Sequence, residues 1–410
     1  MVTISPFKAL RPEAQLAKAV ASPPYDVLNS KEAKIEAQGN SHSFLHITKA
    51  EIGLPDTVDI HSQQVYDKAK ENLTAFISRN ILFRENKPCY YIYRLTMNGR
   101  SQAGLVCGSS VDDYENGLIK KHEYTRPEKE QDRIDHIKTT GAQTGNVFLA
   151  YKNEEEIDAV INGWMKEKNP QYDFIADDGI QHSIWIVSDD DTIAAITQLF
   201  KTLVPATYIA DGHHRAASAA KVKASLGIAA TENADYFLTT LFPSNQLFIM
   251  DYNRVIKDLN ELSPEEFLKK LSEHFIIEKL SNAFRPEAPH NFGLYMNKQW
   301  YQLTAKPETY NEADPIAILD ISILQQYILE PLLNIKDQRT DKRIDFVGGI
   351  RGLDELEKRV DSGEMAMAIS LFPVSIQQLF DVADSGEVMP PKSTWFEPKL
   401  RDGLLTHLID

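Results

Sequence analysis

YIADGHHRAASAA, residues Tyr208–Ala220, sets an acid, a glycine, two histidines and an arginine in consecutive positions ahead of an alanine-rich run. The preceding TYIA reads as a buried strand, and the alanines and lysines from Ala216 to Leu226 favour a helix that Gly227 ends. Asp211, Gly212, His213 and His214 therefore occupy the turn and the helix N-terminus. Free backbone N–H groups and the positive end of the helix dipole attract an anion there, and Gly212 permits close approach. Arg215 adds a planar fork suited to phosphate oxygens. Ala216, Ala217, Ala219 and Ala220 allow tight packing on a sheet. The stretch reads as a phosphate cradle. Two other readings use the same residues. Asp211 is a plain N-cap with the histidines on a solvated first turn, or Asp211, His213 and His214 bind a metal, against which adjacent helical histidines diverge by about 100°.

Upstream, GLIKKHEYTRPEKEQDRIDHIKTTG reads as a short strand, a turn and a helix with Pro127 at its first position and Gly141 past its end. GNVFLAY and HSIWIVS read as strands, and DDTIAAITQLFKTL as a helix. CYYIYRLTMNGRSQAGLVCGSS is a hairpin turning at Asn98-Gly99. That register puts Cys89 and Cys107 on opposite faces, so they stay unbonded thiols.

The C-terminal third opens with NQLFIMDYNRVI, a strand, then SPEEFLKKLSEHF, a helix with a capping box from Ser263 to Glu266. NFGLYMNKQWYQLTA reads as a hairpin, DPIAILDISILQQYILEPLL as a buried helix and EMAMAISLFPVS as a buried strand. Two proline-stiffened loops frame the chain. In ASPPYDVL, Tyr25 and Asp26 face either a binding pocket or a rigid structural turn. In MPPKSTWFEPKL, Lys392, Ser393 and Thr394 suit a phosphate or carboxylate, or form an ordinary surface loop. The charges of KDQRTDKRIDFVGG read as a salt-bridged, solvated face.

A chain of 410 residues exceeds one ordinary core, and three regions are expected, 1–115, 116–228 and 229–410. The alternation of strands and helices gives an α+β protein. A formal net charge of −15 opposes sequence-blind nucleic-acid binding, and no apolar run has the length of a membrane span. A cytoplasmic location is expected, with small molecules rather than nucleic acid or membrane as partners. The sequence sets no oligomeric state.

DGHHR followed by small residues resembles the phosphate-binding motif of the ParB/sulfiredoxin superfamily. With SPPYDV and MPPKST, the whole chain resembles the domain of unknown function 1015 family within that group. The resemblance implies a ParB/sulfiredoxin-like nucleotide-binding core, and Leu118–Leu226 is most similar to the ADP-dependent free-serine kinases. In those enzymes an acidic residue follows a histidine ahead of a helix, and His122 and Glu123 of KHEYTRPE match that pattern. The resemblance implies Glu123 as catalytic base, Asp211, His213 and His214 as further catalytic residues, and His122, Tyr25 and Asp26 near the substrate. It implies Gly212, His213, His214, Arg215, Lys392, Ser393 and Thr394 around the nucleotide, with Asp211 toward Mg2+. Free serine or phosphoserine would be the substrate and ADP or ATP the nucleotide. Without the resemblance, Glu123 reads as a partner of Arg126 or Lys120. A nucleotide-binding switch of the partition type and a metal-dependent phosphatase are the rival functions.

Overall fold

The computed structural model describes residues 1–409. The chain forms two compact units: Met1–Leu247 with the segment from Pro398 onward, and Phe248–Glu397. In the first unit a nine-stranded sheet is built from β1 (Ile4–Ser5), β2 (Tyr90–Met97), β3 (Arg100–Ser110), β4 (Ile119–Lys120), β5 (Val147–Tyr151), β6 (Tyr172–Ile175), β7 (Gln181–Val187), β8 (Thr207–Asp211) and β9 (Tyr236–Pro243). Their order is β4-β8-β5-β9-β3-β2-β7-β6, with β1 also on β3. The β8–β4 and β9–β5 pairs are parallel, and the other pairs are antiparallel.

The hairpin forms as its turn residues require. Met97 pairs with Arg100, and Asn98 (φ 51°) and Gly99 (φ 78°) both take the left-handed conformation of the turn between them. Cys89 and Cys107 are buried free thiols, as that register demands. Leu105, Leu149, Ile209 and Phe237 supply one apolar face of the sheet, where they meet Phe200 and the small residues of a later helix. Each large side chain so buried contributes about 1.5–3 kcal/mol.

Three helices position the site: α1 (Gln63–Ser78), α2 (Pro127–Thr140) and α3 (His213–Leu226). α2 begins with Pro127 at its first turn and ends at Gly141 (φ 69°), matching the punctuation of its sequence. It packs along both α1 and α3. The mid-chain divisions expected at 115/116 and 228/229 both fall inside the first unit. β3, from the first expected region, and β9, from the third, hydrogen-bond to each other over Leu105–Ser110 and Tyr236–Leu241, so those regions share one sheet.

The segment from Pro398 onward returns to the first unit as a strap. Asp402 and Ser22 exchange both backbone hydrogen bonds (2.9 and 3.1 Å), as do Thr406 and Leu10 (2.9 Å each). His407 and Leu408 pair with Gln143 and Ala142. Gly403 (φ 88°) is required here, since a Cβ would lie 2.6 Å from Cγ of Phe44.

The second unit carries a six-stranded antiparallel sheet of β10 (Tyr252–Ile256), β11 (Phe275–Leu280), β12 (Asn291–Met296), β13 (Gln299–Ala305), β14 (Ile344–Gly348) and β15 (Met367–Leu371), ordered β11-β13-β12-β15-β10-β14. The capping box at Ser263 and Glu266 forms as expected. Two expectations change. NQLFIMDYNRVI breaks at Asp251, whose carbonyl accepts the Gly349 N–H (2.7 Å) and whose side chain accepts from Asn253 (2.6 Å). The long buried helix shortens to Asp320–Leu324 followed by a π-turn through Leu329, because Asp314 caps a separate turn at Ile316 and Ala317 and Pro331 has no N–H to continue the run. No helix of the described residues is long and apolar enough to cross a membrane.

Candidate active site

The strand β8 ends at Asp211 and α3 starts at His213, leaving Gly212 as the N-cap with φ 96° and ψ 29°. A side chain there would be strained twice, by the left-handed backbone and by Val147 Cα, 3.3 Å from the position of a Cβ. Asp211 is therefore the last strand residue and not the N-cap. The first intrahelical bond is Ala216 N–H to the Gly212 carbonyl (3.0 Å), so the amides of His213, His214 and Arg215 lead the helix. Gly212→Ala is expected to cost about 1–2 kcal/mol, read as a lower urea midpoint at unchanged slope. An unchanged midpoint would remove the requirement for glycine.

The Asp211 carboxylate meets the ammonium of Lys399, carried by the C-terminal strap (3.2 Å). Burial works against its ionisation, but Lys399 and Arg215 outweigh burial and hold the group well below the usual carboxylate range. No group of three or more His, Cys, Asp or Glu side chains suited to a metal ion occurs among the described residues. Lys399 is the cation in direct contact with Asp211.

The two histidines act on the loop between β4 and α2. Nε2 of His213 accepts the backbone N–H of His122 (3.4 Å), and Nε2 of His214 accepts that of Arg126 (3.0 Å). His122 stands edge-on to the His213 ring, centroids 4.6 Å apart. The pair thus brackets Glu123, which is exposed, between two tie points. Accepting at Nε2 requires the neutral ring with its proton on Nδ1. Burial favours that form: it lowers His213 well below its ordinary value, aided by His122, lowers His214 with help from Lys129, and brings His122 to about 4. Burial thus favours the neutral form of all three rings.

Arg215 is buried, and its fork is occupied. Nη2 donates to both oxygens of Asp26 (2.9 and 2.8 Å), and Nη1 donates to the Asn146 carbonyl. The guanidinium carbon lies 5.6 Å from the Tyr25 ring centroid, and that of Arg133 lies 3.9 Å from the same ring. Burial pushes the Tyr25 hydroxyl up to about 12, assisted by Asp26. Asp402 of the strap completes the group. It is 2% exposed, its Oδ2 has no hydrogen-bond partner, and burial pushes it up to about 7 with Asp26 adding to the rise and Arg215 opposing it. Asp26 thus occupies the fork expected to meet phosphate, and ties the SPPYDV loop to the start of α3.

Tyr25 and Asp26 also border a cavity of about 310 Å³ between α1, α2 and the segment Ile47–Glu51. Its size lies at the lower end of small-ligand sites.

The family model described as "Protein of unknown function (DUF1015)" matches residues 4–322. The chain belongs to the DUF1015 family. No curated protein matches it. Solved structures similar to this DUF1015 chain include a free serine kinase in complex with AMP (12% identity, TM-score 0.37, covering 73% of this chain and 91% of that one). A conserved hypothetical protein from Pyrococcus furiosus is similar at 14% identity and TM-score 0.36, covering 73% and 93%. SbnI from Staphylococcus aureus, with a C-terminal truncation, is similar at 11% identity and TM-score 0.39, covering 72% and 85%. At such identities and TM-scores the ligands of these proteins remain theirs, and the activity of the DUF1015 chain rests on its own residues.

Of the residues expected at the site, the first unit brings together Tyr25, Asp26, His122, Asp211, Gly212, His213, His214 and Arg215, with Glu123 on the tethered loop. Lys392, Ser393 and Thr394 belong to the second unit. There Lys392 (φ 60°) gives its carbonyl to the buried Arg254 (2.8 Å), and Ser393 Oγ donates to the Pro390 carbonyl (2.6 Å). Sequence reading missed Lys399, Asp402 and Arg133. Lys399 lay inside the quoted MPPKSTWFEPKL loop, but no local pattern separates it from Lys392.

Proposed function

We propose that this DUF1015 chain is a nucleotide-dependent phosphotransferase acting on the hydroxyl of free serine, or on phosphoserine in the reverse direction, with a ParB/sulfiredoxin-like core. The observation that supports this most is the pairing of a glycine-opened helix start with a loop carrying Glu123, tied to that helix by both histidines (3.4 and 3.0 Å). The leading amides of α3 suit the terminal phosphates of ADP or ATP, where the helix dipole adds to each N–H.

In this reading Glu123 takes the proton from the serine hydroxyl as its oxygen forms a bond to the terminal phosphorus. The bond from that phosphorus to the bridging oxygen breaks, leaving AMP when ADP is the donor, and the proton stays on the carboxyl until solvent removes it. Phosphoryl transfer needs little else beyond position and charge. His213 and His214 position Glu123 through the loop, and each has Nδ1–H left as a donor. Arg215 holds Asp26 and adds positive charge close to the helix start. A magnesium ion would arrive on the nucleotide's phosphate oxygens with its own waters.

The test incubates the protein and Mg2+ with serine or phosphoserine and AMP, ADP, ATP or CTP, and follows products by mass spectrometry. Nucleotide-dependent exchange of phosphate with serine is expected, and Glu123→Gln should lower the rate by about 10²–10⁴-fold with nucleotide affinity unchanged. Phosphate release without nucleotide would replace this reading with a phosphatase. Nucleotide binding with no turnover would replace it with a switch.

A further inference from the structure

The cavity beside Tyr25 has a charge pattern that selects a class of ligand. Four carboxylates line it, from Asp26, Glu51, Glu128 and Asp132, against three cations, from Lys49, Lys129 and Arg133. A wall so nearly balanced disfavours a polyphosphate and suits a molecule carrying both signs.

The hydrogen bonds show which of these groups still have capacity. Asp132 is closed: Oδ1 accepts from His61 Nδ1 (3.0 Å) and Tyr66 Oη (2.9 Å), and Oδ2 accepts twice from Arg133 (2.9 and 2.6 Å). Asp26 is committed to Arg215. Lys49 meets Glu51 Oε1 (3.0 Å), and two of its three donors remain. Arg133 spends Nε and Nη2 on Asp132 and keeps Nη1. Glu51 takes Lys49 and Ser30 Oγ (2.8 Å) on Oε1, leaving Oε2. Both members of the Lys49–Glu51 pair are largely buried, at 14% and 11% side-chain exposure, where each added hydrogen bond counts for more than at the surface.

We propose that this cavity binds a small zwitterionic α-amino acid, with its carboxylate on Lys49 and Arg133 and its ammonium on Glu51. Leu28, Ile47 and Val65 add apolar surface to the same lining. This deepens the phosphotransferase reading by giving its amino-acid substrate a place, and rests on that reading only for the identity of the hydroxyl.

The experiment titrates nucleotide-free protein calorimetrically with L-serine and L-alanine. Saturable binding of at least one is expected, with L-lactate, which lacks the ammonium, and ethanolamine, which lacks the carboxylate, each at least tenfold weaker. The double variant K49M/E51Q, which removes both charges and little volume, should bind at least tenfold more weakly while unfolding cooperatively. Should that variant not fold, the ring protons of His61 in the native chain supply the location, since binding must shift them. Absence of saturation by either amino acid overturns the proposal. So does equal binding of lactate or ethanolamine, unchanged binding by folded K49M/E51Q, or unmoved His61 signals. Failure here with intact nucleotide-dependent exchange would discard the cavity alone; amino-acid binding without exchange would discard the transfer reaction alone.

Discussion

Replacing Arg215 by alanine is expected to lower the unfolding free energy by about 1.5–3 kcal/mol, because the guanidinium is buried while its partner Asp26 stays partly in water (9% and 32% side-chain exposure). The guanidinium is the sole cation bonded to Asp26 among the described residues, and it also satisfies the Asn146 carbonyl. Its removal takes one donor from that carbonyl and leaves Asp26 acting on the buried carboxyl of Asp402, whose rise in pKa already reflects Asp26. The ligand-free protein should therefore show a lower urea midpoint with an unchanged slope. Asp26→Ala combined with Arg215→Ala should lose clearly less than the sum of the two single changes, because the members of one ion pair are coupled. An Arg215 that served ligand alone would be nearly silent in this measurement. A loss below about 1 kcal/mol, with additive single changes, would return the residue to that role.

The second large effect is a stability that falls as pH rises. Asp402 has its carboxyl pushed up to about 7 in the fold, against 3.8 for the ordinary group. Below about pH 4 the folded and unfolded chains both hold the proton. Between about pH 4 and 7 the unfolded chain releases it while the folded chain keeps it, so unfolding becomes easier as pH rises. Above pH 7 both forms are ionised and the penalty stays constant. Asp402→Asn removes this dependence, and at pH 8 the variant should exceed the native chain by up to about 4 kcal/mol. The unpartnered Oδ2 supports the same sign, since a buried carboxylate oxygen with no donor favours the protonated acid. Parallel denaturation series at pH 4.5 and 8 decide it, and a difference that does not widen with pH would show Asp402 ionised throughout.

The parts of this protein legible in its sequence are those set by neighbouring residues. Asn98-Gly99 fixed a turn because both positions need a positive φ, and Pro127 and Gly141 bounded α2 because one lacks an N–H and the other tolerates φ 69°. The strand-to-helix turn at Gly212 was visible for the same reason. Contacts between distant residues were not. Nothing near Arg215 announces that a carboxylate 189 residues away fills its fork. The phosphate expected there rested on the chemistry of guanidinium alone, which suits Asp26 equally well. The histidines were read as ligand donors, yet their Nε2 atoms accept backbone N–H groups, a role set by where the β4–α2 loop passes. Nor does anything near residues 115 and 228 announce that β3 and β9, on either side of both, pair in one sheet.

The strap from Pro398 onward has a consequence for how the chain is made. Lys399 and Asp402, which meet Asp211 and the Arg215 cluster, are synthesised after the whole of Phe248–Glu397. While translation proceeds, Asp211 lacks its lysine and the Ser22 and Leu10 backbones lack their strand partners. The second unit, whose sheet is complete within its own span, is free to fold before the first one closes. Until the strap is made, the Gly212 turn lacks contacts that close it, so this corner is among the last parts of the first unit to set.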